Sequence, residues 1–186
     1  QLDGAMGQVL AALHELDLEK DTIVLYTTDH GEMLGDHGLW QKFQFYEASC
    51  GVPLIVRAPG VTTPGSKCSM PVSLVQVLPA LAELCGVAIP PTDAPSLAPQ
   101  LKDVSDVRDM PVFSEFNLKT PKAKYMLLRG GFKYTFRVND MPELYDMKAD
   151  PDEMTNLALK PEHRDRVERM KGELFAWYTP PELQVH

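Results

Sequence analysis

No stretch of this chain approaches the roughly 18 consecutive apolar residues of a membrane-crossing helix, so no span is expected. Cysteine is scarce as well. Cys50, Cys68 and Cys85 are an odd count with no CxxC pair, which is poor material for a disulfide framework or a zinc knuckle. There is no basic stripe, acidic tail or low-complexity run. Basic residues are the minority, 18 against 26 acidic, and the net charge is −8. A surface that acidic repels a phosphate backbone at long range, so no nucleic-acid partner is expected. A small anion stays compatible, because local cations in a cleft override the mean field. An initial Met is absent too. Beginning at Gln1, the chain is expected to be a processed product or a piece of something longer.

What is present is ordinary globular material: 44% hydrophobic and 24% charged over 186 residues, enough to bury roughly 70% of the unfolded surface. Leu2, Met6, Val9, Leu10, Leu13 and Leu16 recur at helical spacing and predict an amphipathic helix over 2–18. The aliphatic runs 23–27 and 53–57 read as strands buried on both faces, as in a parallel sheet. Between them lies a long Gly-, His- and aromatic-rich loop, and loops of that length in compact domains are often functional. Residues 73–85 predict a helix stopped by Gly86, with Pro79 forcing a late start or a kink. Pro90, Pro91, Pro95 and Pro99 mark a loop holding at most one short helical turn. Strands follow at 112–116, 124–129 and 132–138, with Gly130-Gly131 as a hairpin turn and 143–146 as a fourth strand. Pro161 opens a last helix, through about Tyr178, with Val167, Met170, Leu174 and Trp177 on one face. The fold class is α/β, with a small antiparallel sheet and a helix at the C-terminal end. The expected division is a core segment over 1–107 and a small α+β subdomain over 108–186. Two parallel strands alone would leave both faces and an edge bare. The remaining strands are expected upstream, or self-association would cover the exposed sheet.

Chemistry concentrates at Asp29-His30-Gly31 through Lys42, where the first strand ends. Ligands of open α/β sheets bind beyond the carboxyl ends of strands. Asp29 and His30 would point to opposite faces of a regular strand, and Gly31 permits the bend that lets both reach one divalent ion. Two ligands do not complete a metal site, so further donors must come from elsewhere. Lys42, twelve positions after His30, adds an ammonium suited to oxygens that gain charge as a sulfate or phosphate ester is cleaved.

The string DHGEMLGDHGLWQK followed by YEASCGVPLIVRAPG closely resembles the sulfatase pattern (T/S)DHGEMLGDHGLWxK leading into YExSxRVPLIVxxPG. PVSLVQVLPALAELCGV and ELYDMKADPDEMTNLA continue the likeness, the latter beside the family's LYDLxxDPxExxNLA. The resemblance implies the C-terminal part of an alkaline-phosphatase-like fold. It implies hydrolysis of sulfate esters, on a small molecule or a sugar, or of phosphonate and phosphate esters in close relatives. It also implies a divalent metal (calcium, magnesium or manganese) on Asp29 and His30, and Lys42 as a contact to sulfuryl or phosphoryl oxygens. His37 falls in the motif with the expected job of holding the loop. Three departures are visible: Gly51 where relatives carry Arg, Gln76 where they carry Asp, and Pro95 where they carry Gly.

The family's nucleophile is a formylglycine made from the Cys or Ser of a (C/S)xPxR motif. Cys50, Cys68 and Cys85 all stand outside such a frame, so the formylglycine is expected in an N-terminal part, together with paired Asp residues that complete the metal site. His14 and His163 fall on predicted helices and His186 is the terminus. None is a candidate acid. The 186 residues alone are therefore expected to be inactive. The alternatives are a phosphonate monoester or phosphodiester hydrolase of the same superfamily, or a non-catalytic binding or assembly module.

Overall fold

A computed structural model describes residues 1–89 and 91–178; Pro90 and His186 lie outside the described residues. Helix α1 (Leu2–Glu15) forms where the periodicity predicts it, but none of its residues is buried. Leu2, Val9 and Leu16 are each more than half exposed. The two aliphatic runs become β1 (Val24–Thr27) and β2 (Leu54–Arg57).

Their pairing corrects the sequence reading. β1 and β2 run antiparallel, with Val24 opposite Arg57 and Thr27 opposite Leu54. Neither is buried on both faces: β1 is half-buried throughout, and Ile55 and Arg57 of β2 are exposed. A continuous apolar run reports hydrophobic demand on both faces but not strand direction. The connection over 28–53 is long enough for either.

Beyond β2, Ser73 and Gln76 form a reciprocal capping box on a 3-10 turn, with Ser73 N–H donating to Gln76 Oε1 at 2.8 Å. The α-helix α3 (Val77–Cys85) follows. Pro79 sits in its first turn, where a missing N–H costs nothing, and Gly86 closes it at φ +66°. Gln76 Nε2 also donates to Pro95 O at 3.4 Å, so two departures from the family pattern touch each other. The Pro-rich stretch holds one short helix, α4 (Ala98–Lys102). Met70, Ala80 and Leu97, with Leu54 and Val77 against them, make a small core for this region.

The larger core belongs to β3 (Val112–Phe116), β4 (Lys124–Arg129), β5 (Phe132–Arg137), β6 (Glu143–Asp146) and α5 (Arg164–Trp177). The strands pair antiparallel in sequence order. Gly130 and Gly131, both at positive φ, turn the central hairpin. Tyr125, Leu127, Tyr134 and Leu144 on one sheet face meet Val167, Met170 and Leu174, which lie three and four apart on α5. Trp177 stacks on Phe113 with ring centroids 4.5 Å apart.

The opposite face of this sheet decides the layout of the site. Lys124, Met126, Lys133, Thr135, Arg137, Glu143 and Tyr145 share it by register. Met126, Lys133, Thr135 and Tyr145 are buried. What covers them is the loop between β1 and β2.

Candidate functional site

The loop leaves β1 at Thr28 and turns through Asp29-His30-Gly31. Thr28 Oγ1 donates to His30 O at 3.2 Å, and His30 N–H is 3.1 Å from Asp29 Oδ1. These short-range bonds bend the chain, so the two side chains converge instead of alternating. Asp29 Oδ2 stands 3.5 Å from His30 Nε2. Gly31 is required here by space: its N–H donates to Ser49 O at 2.8 Å, and any Cβ would overlap Ala48 O.

The His30 tautomer follows from its neighbours. Nδ1 lies 2.8 Å from Gly31 O, which can only accept, so Nδ1 carries the proton. Nε2 is left with a bare lone pair, and the Lys42 ammonium donates to it. A ring nitrogen fixed by a backbone carbonyl while its partner presents a lone pair is the arrangement of a metal-binding histidine. Desolvation acts to raise the Asp29 pKa. The charge of His30 in its protonated form, the adjacent backbone and the Thr28 hydroxyl outweigh that and hold it below the usual carboxylate value. Among the described residues no group of three or more His, Cys, Asp and Glu converges as a metal cage. Asp29 and His30 are chemically suited to a divalent cation and would supply two of its donors.

His37 is turned away from this cluster. Its ring stacks on Tyr46 at 3.9 Å, and Nε2 donates to Asp152 O at 3.1 Å. His37 itself adopts φ 51°, ψ 21°, a left-handed conformation that these contacts hold. It ties the loop to the turn after β6. Of the other histidines, His14 pairs with Glu19 and His163 precedes α5.

Sequence reasoning missed the residues that carry the loop. α2 (Glu47–Cys50) packs its start onto the sheet. Lys133, almost fully buried, donates to Glu47 Oε1 and, at 2.9 Å, to Phe45 O; Glu153 Oε1 lies 3.0 Å away. Glu153 Oε2 accepts from Glu47 N–H at 2.6 Å. Burial works against the Lys133 charge, but Cys50, Glu153 and Glu47 more than offset it, and its pKa is raised. The Cys50 thiol donates to Phe45 O at 3.0 Å, and desolvation pushes its pKa up to about 11. Tyr46 OH donates to Glu143 Oε1 at 3.1 Å, and Glu143 also holds Arg137 at 2.7 Å. Lys124 Nζ reaches Phe43 O at 3.0 Å. Glu47 and Glu153 stand in the family pattern; nothing in the hairpin sequence marks Lys124 and Lys133 as covered residues.

A sulfatase family model matches residues 1–87 of this chain. Choline-sulfatase of Rhizobium meliloti is 38% identical over 165 residues, covering 86% of this chain. The chain belongs to the sulfatase family. It spans 31% of the length of that choline-sulfatase, so this sulfatase chain corresponds to about a third of such a protein. An enzyme solved in complex with its substrate D-glucosamine-2-N,6-O-disulfate superposes with a TM-score of 0.85 at 30% identity. That match covers 98% of this chain and 40% of the other. A phosphonate monoester hydrolase from Silicibacter pomeroyi gives 0.81 at 31% identity, over 94% of this chain and 38% of its own. These neighbours agree with a C-terminal portion of the sulfatase fold.

Proposed function

We propose that this chain supplies the metal-and-anion half of a sulfate-ester hydrolase site. Asp29 and His30 hold a divalent cation, and Lys42 binds the oxygens of the ester group. The observation that carries this is the His30 lone pair, fixed by the Nδ1 bond to Gly31 O and facing both the Asp29 carboxylate and the Lys42 ammonium. A cation at that nitrogen supplies charge neutralisation to oxygens that become more negative as the ester bond breaks. One lone pair serves either a cation or Lys42. Metal occupancy therefore frees the Lys42 ammonium for the anion, and the two ligands bind cooperatively. Cys50, Cys68 and Cys85 stand outside a (C/S)xPxR frame. The nucleophile therefore comes from elsewhere in the full hydrolase. These 186 residues alone are expected to give no turnover of 4-nitrophenyl sulfate; robust turnover would overturn that.

The test is NMR of the His30 ring nitrogens during titration with calcium, magnesium or manganese, with and without sulfate. Metal should move Nε2, sulfate should tighten the metal, and Asp29→Asn should abolish both effects. A silent His30 at millimolar metal sinks the proposal. Hydrolysis of a phosphonate monoester is the second reading, favoured by the likeness to the Silicibacter enzyme. Tighter binding of phenylphosphonate than of phenyl sulfate by the metal-loaded chain selects it.

A further inference from the structure

Immediately after Lys42 the backbone takes an unusual course. Gln41 and Phe43 on either side of it both have positive φ, 67° and 32°, a region that non-glycine residues rarely adopt. Lys124 of β4 holds the course. Its ammonium donates to Phe43 O at 3.0 Å and to Gln44 Oε1 at 2.5 Å, which uses two of its three hydrogens. The strained segment presents the Phe43 ring outward, 46% exposed and 5.6 Å from Phe116 at the end of β3. Phe43 and Phe116 line an open cleft of about 380 Å³ with Gln44, Asn117, Lys122 and Lys124. On a chain of net charge −8, this lining holds two ammonium groups and no carboxylate.

We propose that this cleft is the subsite for the leaving group of the ester, and that it takes a ring bearing a second anionic substituent, a carboxylate or another sulfate. The proposal rests on the reading of Lys42 as the clamp on the ester oxygens, one residue from the cleft. The apolar faces of Phe43 and Phe116 suit the C–H face of a sugar or an aryl ring. Lys122 and the unused hydrogen of Lys124 suit the anionic substituent. Neutral rings of the same shape keep the stacking and lose the charge, so the cleft discriminates by charge. Because Lys124 also fixes Phe43 O, an occupant that draws on Lys124 acts on the backbone beside Lys42. The leaving group thereby helps position the clamp.

The probe is phenyl β-D-glucuronide, which carries a ring and a carboxylate but no sulfate ester; phenyl β-D-glucoside is the uncharged control. Titrated into the labelled chain, the glucuronide should shift the ring resonances of Phe43 and Phe116. It should bind about threefold or more tightly than the glucoside. Lys122→Met and Lys124→Met should each erase most of that preference. Lys119→Met, an exposed lysine of the same turn outside the cleft, should keep it. Lys122 is exposed and its replacement leaves the Phe43 carbonyl bond intact, so a folding defect in Lys124→Met does not spoil the test. Equal binding of the two glycosides, or no shift at Phe43 and Phe116, overturns the subsite. If the glucuronide binds as described while His30 ignores metal and sulfate, the cleft stands and the sulfatase-site reading falls. The reverse result removes the cleft alone.

Discussion

Cys50 shows how position alters the chemistry of one side chain. Its thiol donates to Phe45 O beneath the Lys133 ammonium, and burial raises its pKa from an ordinary 9.0 to about 11. Cys68 and Cys85 are exposed. A two-unit rise lowers the thiolate fraction about 100-fold at mildly alkaline pH, and only the thiolate is nucleophilic. Iodoacetamide should therefore alkylate Cys68 and Cys85 quickly and leave Cys50 about two orders of magnitude slower. Peptide mapping that found equal rates at all three would refute this. The sign of the pH effect on folding follows from the same shift. Between the ordinary pKa and about 11 the folded chain keeps a proton that the unfolded chain releases. Stability should fall as pH rises through that window. Asp29, just beyond the end of β1, and Lys42, later in the same loop, were readable as candidates from the sequence alone. The His30 tautomer was not, since it depends on where Gly31 O points once the chain has bent.

Among elements, α2 and its clasp carry the most consequence. Lys133 of β5 and Glu153 after β6 meet in the interior, Glu47 of α2 reaches Lys133 from the half-exposed rim, and α2 in turn seats Gly31 and hence His30. Removing one partner of a buried pair costs about 3–5 kcal/mol, because the other charge is left unsolvated. Lys133→Met should lower the urea midpoint by a corresponding amount, with Glu153 stranded at 2% exposure. Adding Glu153→Leu should restore part of the loss, since the stranded carboxylate is gone. Equal stability of Lys133→Met and the parent would dismiss the clasp. The hairpin carrying Lys133 was legible down to its turn, as was α5 with its three- and four-residue spacing. The burial of its polar face was not. Alternation assigns Lys124, Lys133 and Arg137 to solvent, and only the loop that folds across them makes that face an interior. The antiparallel pairing of β1 with β2 was equally hidden, because an apolar run is silent about direction.

At the scale of the whole molecule, order is distributed unevenly. Among the described residues, the core between β3–β6 and α5 joins nine buried residues, while that around α3 joins three. α1 buries none, and a lone helix of 14 residues is marginal in water. Amide exchange should separate accordingly. Amides of β4, β5 and α5 should open only with global unfolding, and those of α1 should exchange at least about 100-fold faster. Uniform protection would mean that α1 is covered in solution, and light scattering would then show whether a second copy covers it.

The clasp also bears on inheritance. Positions 47 and 133 are 86 residues apart yet meet, with Glu153, in one charge group whose Lys133 and Glu153 are buried. A side chain at position 51, where the family pattern has Arg, would begin 2.5 Å from Glu47 Oε2. A lineage that restores the Arg must swing the Glu47 carboxylate away from Lys133, and Lys133 then needs a new counter-charge or a neutral replacement. Descendants should thus exchange residues 47, 51 and 133 as a linked set, and hybrids that mix parental versions of them should be the ones lost.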